Sequence, residues 1–295
     1  MEQVTAAVND ELVQSLDYKL ATSNVNYVQS RKDVNYYPSS LSVFTPTTSR
    51  VCRIPLTSGM DFVDGESVKL GFTVRNNSAT GTLQLSSPDP SCLIDRVEIF
   101  ANGTRIEDIS HYNRCSYLYS LLKNEEWWLQ RHIQGFLADG GGYAQEIAAE
   151  GSRHVLMSPH LMGIFNCGKL LPPELNLVLQ ITFCDPVHGV RSVSASQDYT
   201  IENVKLYASQ VTLDSALRES FQRIMTSGRS LIFLLPDHPA GSTSYNITVA
   251  RAFTKMLGAF VTFNSTAEDL VDNFEYPGAN ANRNLKGQLQ LGALQ

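Results

Sequence analysis

Residues 94–122 constrain the fold more than any other stretch of this chain. Val97, Ile99 and Ala101 fall on one face of an extended segment and Arg96, Glu98 and Phe100 on the other, the period of a half-buried strand. Asn102-Gly103 then supplies two residues that tolerate positive φ, so Thr104 to Glu107 is predicted to return as the second arm of a type I′ hairpin. Tyr112, Cys115, Leu118, Tyr119 and Leu122 recur at spacings of three and four, which predicts a helix with Asp108 or Ser110 as its N-cap. Strand, tight turn, strand and buried helix follow in that order.

A fainter copy of the opening strand lies 107 positions later, where IENVKLYA at residues 201–208 matches IDRVEIFA at 94–101. Ile94/Ile201, Val97/Val204 and Ala101/Ala208 are identical, and the copy again leads toward helical spacing in Leu213, Leu217, Phe221 and Ile224. Amphipathic strands resemble one another by chance, so a repeat and a coincidence both fit these eight residues.

The length of 295 residues sets an expectation of about two domains. Charged residues make up 18%, below the roughly 25% of an average soluble chain, which fits either ordinary scatter or a surface covered by partners. The net charge is −6 and the first fifty residues hold no basic arm, which argues against direct, sequence-specific nucleic-acid binding. Five cysteines without CxxC spacing read as buried thiols in a reducing compartment, and the acidic first twenty residues do not form a signal peptide. The longest strongly apolar block, 231–235, is too short to cross a bilayer. A chain folded in the cytosol is expected, and the sequons at Asn76, Asn102, Asn246 and Asn264 carry little weight there.

Along the chain, residues 5–20 suit a short amphipathic helix, and 22–46 read as an irregular extended arm that leans either on another molecule or on its own barrel. Strands are expected from alternation at Cys52, Ile54 and Leu56; at Val68, Leu70, Phe72 and Val74; near Leu83 and Leu85; and at Leu175, Leu177, Leu179, Ile181 and Phe183. Residues 125–142 form a long inserted loop with adjacent Trp127 and Trp128, and at least one of two neighbouring indoles is expected to meet a cover or a partner chain. The serine-rich stretch 187–198 is the expected domain boundary. The second half holds a predicted helix at 212–225, then strands near 231, 247 and 257–263.

Catalytic signatures are weak. Gly163 to Lys169 satisfies GxxxxGK, but Leu170 replaces the hydroxyl residue that would hold Mg²⁺, and Pro172-Pro173 forbids the following helix. Gly140 to Gly142 lacks the spacing of a dinucleotide loop. No HxH, HExxH or GxSxG is present, and no sequence feature activates a cysteine. The chain is therefore expected not to be an enzyme: no catalytic residue, metal ligand or cofactor site is assigned.

The words RVEIFANG and IEDISHYN, then LLPPELNLVLQITF and IENVKLYA, in this order, resemble the double jelly-roll major capsid proteins of eukaryotic DNA viruses such as virophages and polinton-like viruses. The resemblance spans about residues 40–265. It implies an all-β fold of two adjacent antiparallel jelly-roll barrels with a few short helices: an N-terminal helix and arm at 1–46, a first barrel at 47–197, and a second at 198–295 that looks incomplete. It implies a homotrimeric, pseudo-hexagonal capsomer of an icosahedral virion, in contact with neighbouring capsomers, penton and minor capsid proteins, and with an internal membrane in some members. The short second barrel departs from the family; a truncated chain is expected, since missing strands expose edges, with a minimal member as the alternative. Exposed aromatics in irregular segments make Tyr36, Tyr37, Trp127 and Trp128 the expected interface residues. The rival functions are a minor or vertex capsid protein, a lectin-like β-sandwich binding module, or a cupin-type metalloenzyme.

Overall fold

Apolar side chains on every second residue leave each strand with one dry face, and two sheets placed dry face to dry face bury them together. The computed structural model describes residues 28–120, 122–124, 126–127, 135, 146–191 and 196–227. Its strands are β1 (Val28–Tyr36), β2 (Val43–Phe44), β3 (Val51–Pro55), β4 (Phe62–Asp64), β5 (Lys69–Asn76), β6 (Ile94–Ala101), β7 (Thr104–Ser110), β8 (Ser152–Met157), β9 (Leu170–Leu171), β10 (Leu177–Phe183) and β11 (Tyr199–Leu213). Short helices are α1 (Tyr112–Ser120), α2 (Pro186–Gly189) and α3 (Ser215–Thr226). The result is mostly β: two antiparallel sheets and a few short helices.

One sheet runs β3-β10-β6-β7 and the other β8-β5-β11-β4-β9, with β1 and β2 also paired to β11. Between them Phe183 meets Phe44 at 5.5 Å and Phe72 at 6.0 Å, ring centre to ring centre. Cys52, Ile54, Leu70, Val74, Val97, Ile99, Leu179, Ile181 and Leu206 fill the rest of the dry layer. Truncating Phe183 to alanine in such a layer costs about 3–5 kcal/mol.

The hairpin forms as its sequence predicts. Asn102 and Gly103 take φ of 48° and 80°, and Ala101 pairs with Thr104. The helix after it starts later than either predicted cap. Asp108 is committed to Arg96 through bonds of 2.8 and 2.7 Å, Ser110 still belongs to β7, and His111, at φ 52°, turns the chain into α1. Leu122 lies beyond the helix and is exposed. Similarly β10 begins at Leu177 rather than Leu175, because Pro173–Leu175 winds into a 3-10 turn ended by Asn176 at φ 43°. Leu83 and Leu85 make single bridges to Ile147 and Val190 instead of a strand.

Two larger differences concern the ends of the described fold. Residues 28–36, expected to be irregular, are a nine-residue strand on β11, so this part of the arm belongs to its own sandwich. β11, expected to open a second barrel, is the central strand of the larger sheet, with β5 and β4 on one side and β1 and β2 on the other. Its length is the physical reason: fifteen residues, half of them facing inward, need neighbours along both edges. The expected helix at 5–20 and the expected strands near 231, 247 and 257–263 lie outside the described residues.

Candidate assembly surface

Of the four expected interface residues, Tyr36 ends β1 and is 5% exposed, its hydroxyl accepting a 2.9 Å bond from Gln210 Nε2. It is a core residue, because its position in β1 faces the dry layer. Tyr37 is one residue on and therefore points outward, with Lys205 Nζ 5.8 Å from its ring centre. Trp127 is half-buried beneath Lys123 Nζ at 5.9 Å. Trp128 lies outside the described residues. Of the three that are described, the structure buries Tyr36, half-buries Trp127 and leaves Tyr37 open.

A larger feature surrounds Tyr37. Residues 37–51 carry the chain from β1, across the rim, by way of β2, to β3 in the opposite sheet. Ser39 N donates to Arg53 O at 2.8 Å and Thr45 closes a tight turn on Ser49, so the connector is held against the sandwich by its backbone. Phe44 plunges into the core, whereas Tyr37, Leu41, Val43 and Val51 stay between 42% and 56% exposed. They are half of the eight large exposed apolar residues among those described, gathered in fifteen positions whose only charge is Arg50. The segment is poor in charge, although Lys205 lies against Tyr37 and Glu202 pairs with Val43 from β11, and exposed apolar side chains gathered in this way suit an interface. Sequence reasoning missed Leu41, Val43 and Val51; alternation with buried Phe44 and Cys52 was the signal that exposed them.

Several described groups that could do chemistry are engaged in holding the fold. Burial pushes the Cys52 and Cys184 thiols up to about 12 and Cys92 well above its ordinary value, so these three stay protonated and unreactive. Among the described residues no three His, Cys, Asp or Glu side chains stand together as a metal site. At the GxxxxGK stretch, the place where a phosphate would need free amides is already filled: Glu107 accepts bonds from Gly163 N at 2.5 Å and Ile164 N at 3.3 Å. Asn76, a sequon by sequence, is fully buried, and its Nδ2 donates to Gly81, Ile147 and Ala148 carbonyls, tying two loops together. A cleft of about 180 Å³ lies between α3 and the turns before β4 and β10, floored by Phe62 and Phe221 in edge contact at 5.1 Å.

No protein-family model matches this sequence, and no curated protein does. Among solved structures the chain is similar to the capsid of the virus PBCV-1, with a TM-score of 0.45 and 14% identity over 68% of this chain and 47% of that one. It is also similar to the structure of the Sputnik virophage (0.43, 11%, 68% and 51%) and to the Faustovirus major capsid protein (0.39, 6%, 72% and 59%). The likeness is one of fold. The chain spans about half the length of these structures.

Proposed function

We propose that this chain is a structural subunit of a viral capsid, the major capsid protein of an icosahedral virion, acting by self-association without catalysis. The observation that carries this reading is the charge-poor rim at residues 37–51, where Tyr37, Leu41, Val43 and Val51 remain open to solvent. Exposed apolar side chains concentrated in one short connector fit a surface that another subunit covers. The order of sequence words that resembles double jelly-roll capsid proteins supports the same reading.

The finer picture belongs to this proposal: two barrels per chain, three chains per pseudo-hexagonal capsomer, and contacts with neighbouring capsomers, pentons and minor capsid proteins in the virion shell. Tyr37, Trp127 and Trp128 are the proposed aromatic contacts retained from sequence, joined now by the rim. The test is assembly of the full chain carrying Leu41→Glu and Val51→Glu together. Both side chains are exposed, so the fold is expected to survive and oligomers to dissociate, read by light scattering and electron microscopy. Oligomers of unchanged size and stability would overturn the role of the rim.

A further inference from the structure

The nine-residue strand β1 flanks β11 along one edge only. Among the described residues no strand pairs with its other edge. Free edges recruit other strands, and proteins commonly guard them with lysine and arginine held out along the edge. β1 has two such cations, but both are drawn inward across β11: Arg31 Nη1 lies 3.1 Å from Asp64 Oδ2, and Lys32 Nζ 3.0 Å from Asp61 Oδ2. The residues from Val28 to Asp33 are all exposed. Among the described residues the edge is unpaired, its two cations are tied to carboxylates across β11, and its one irregularity is a bulge between Val28 and Ser30.

We propose that this edge pairs with the same edge of a second copy of the chain, antiparallel and two-fold symmetric. In a two-fold antiparallel pair the side chains facing each other share a face, so the strand can centre only on a residue, here Arg31, Lys32 or Asp33. Centring on Arg31 or Asp33 sets like charges directly opposite each other and forms no opposite-charge pair between the copies, although Asp64 lies beside Arg31. Centring on Lys32 sets Arg31 of each copy opposite Asp33 of the other, two opposite-charge pairs. The like pair at the centre is Lys32 with Lys32, and each ammonium already has Asp61 beside it. Asp33 accepts a 2.6 Å bond from Ser209 Oγ on β11 through one carboxylate oxygen, which leaves the other for an incoming arginine, and Arg31 would share its guanidinium between Asp64 and Asp33 of the other copy. Charge complementarity thus selects both the occupant and the register. The contact is independent of the capsid reading, because a threefold capsomer does not need a two-fold edge.

The experiment is sedimentation of the full chain over a rising concentration series at low ionic strength, comparing wild type, Arg31→Asp, Asp33→Arg, and an equimolar mixture of the two variants. Wild type is expected to double the mass of the species present in dilute buffer as concentration rises, a threefold mass becoming sixfold, and the doubling to weaken with salt. Each variant alone faces like charge with like and should pair at least tenfold more weakly. In the mixture, the two aspartates of one variant face the two arginines of the other across the strands, so pairing should return. The neutral variants Arg31→Gln and Asp33→Asn should fall between, and thermal unfolding confirms that every variant is folded. Wild type that never doubles, doubling indifferent to all these changes, or folded variants whose mixture fails to pair would each overturn the proposal. A threefold mass untouched by these variants would leave capsomer formation standing while removing the edge contact.

Discussion

Glu98 and Glu107 sit on opposite faces of the same hairpin, buried almost equally at 5% and 4% exposure, and they are held in different ways. Glu98 lies on the outer face of the smaller sheet, beneath a lid of its own partners: Gln180 Nε2 at 2.6 Å, Arg105 Nη1 at 3.0 Å and Arg96 Nη2 at 3.3 Å. Asp108 completes the cluster by holding both arginines, with Arg105 Nη1 at 3.1 Å from it. These groups come from three adjacent strands, so the network fixes the register of β10, β6 and β7. Glu107 points inward and meets two backbone amides of the 163–166 turn. Burial raises its carboxyl above the usual carboxylate range, and the two amide bonds offset that only in part. A carboxylate met by cations fastens a sheet; one met by amides alone anchors a loop, and burial disfavours its charge.

The comparison can be broken at each end. The largest effect is expected for Glu107→Ala, which leaves two amides without their acceptor and opens a cavity, at a cost of about 2–4 kcal/mol in denaturant unfolding. Glu98→Ala should cost less, about 1–2 kcal/mol, because Arg96 and Arg105 are partly exposed and regain water when their partner goes. Arg96→Lys loses the paired bonds to Asp108 but keeps the charge, and should cost about 0.5–1 kcal/mol. Equal costs for the two glutamates would erase the distinction drawn between them.

Acidity sharpens the same contrast. With its folded value raised, Glu107 binds its proton more tightly in the folded than in the unfolded chain. Wild-type stability measured against Glu107→Gln should therefore be greatest below the ordinary carboxylate pKa of about 4.3. It should decline as pH rises through the folded value and then level off. A difference that grows with rising pH would contradict the assigned cause.

The hairpin was legible because its turn residues and its alternation act locally. The word shared by 94–101 and 201–208 carried more than alternation. In both strands an isoleucine and a valine three apart are buried, Ile94 with Val97 and Ile201 with Val204, which a regular strand forbids. Each strand solves this with a register shift, one opposite Thr182/Phe183 and one between Glu202 and Lys205, where Asn203 takes φ 53°. The likeness therefore encodes a bulged strand, and the two copies occupy different sheets. β1 was not legible, since SRKD has no apolar alternation and the strand is specified by β11 beside it. Glu107 was not legible either, because its partners lie 56 and 57 residues away on backbone amides that no side-chain pattern reports.

The most direct test of the structural-subunit reading is the native mass of the full chain in dilute, near-neutral buffer, by sedimentation equilibrium. The account predicts a species of three times the 32.6 kDa chain mass, with a hexagonal outline in electron micrographs. A folded species of 32.6 kDa that stays monomeric as concentration rises would contradict it and favour a binding module instead.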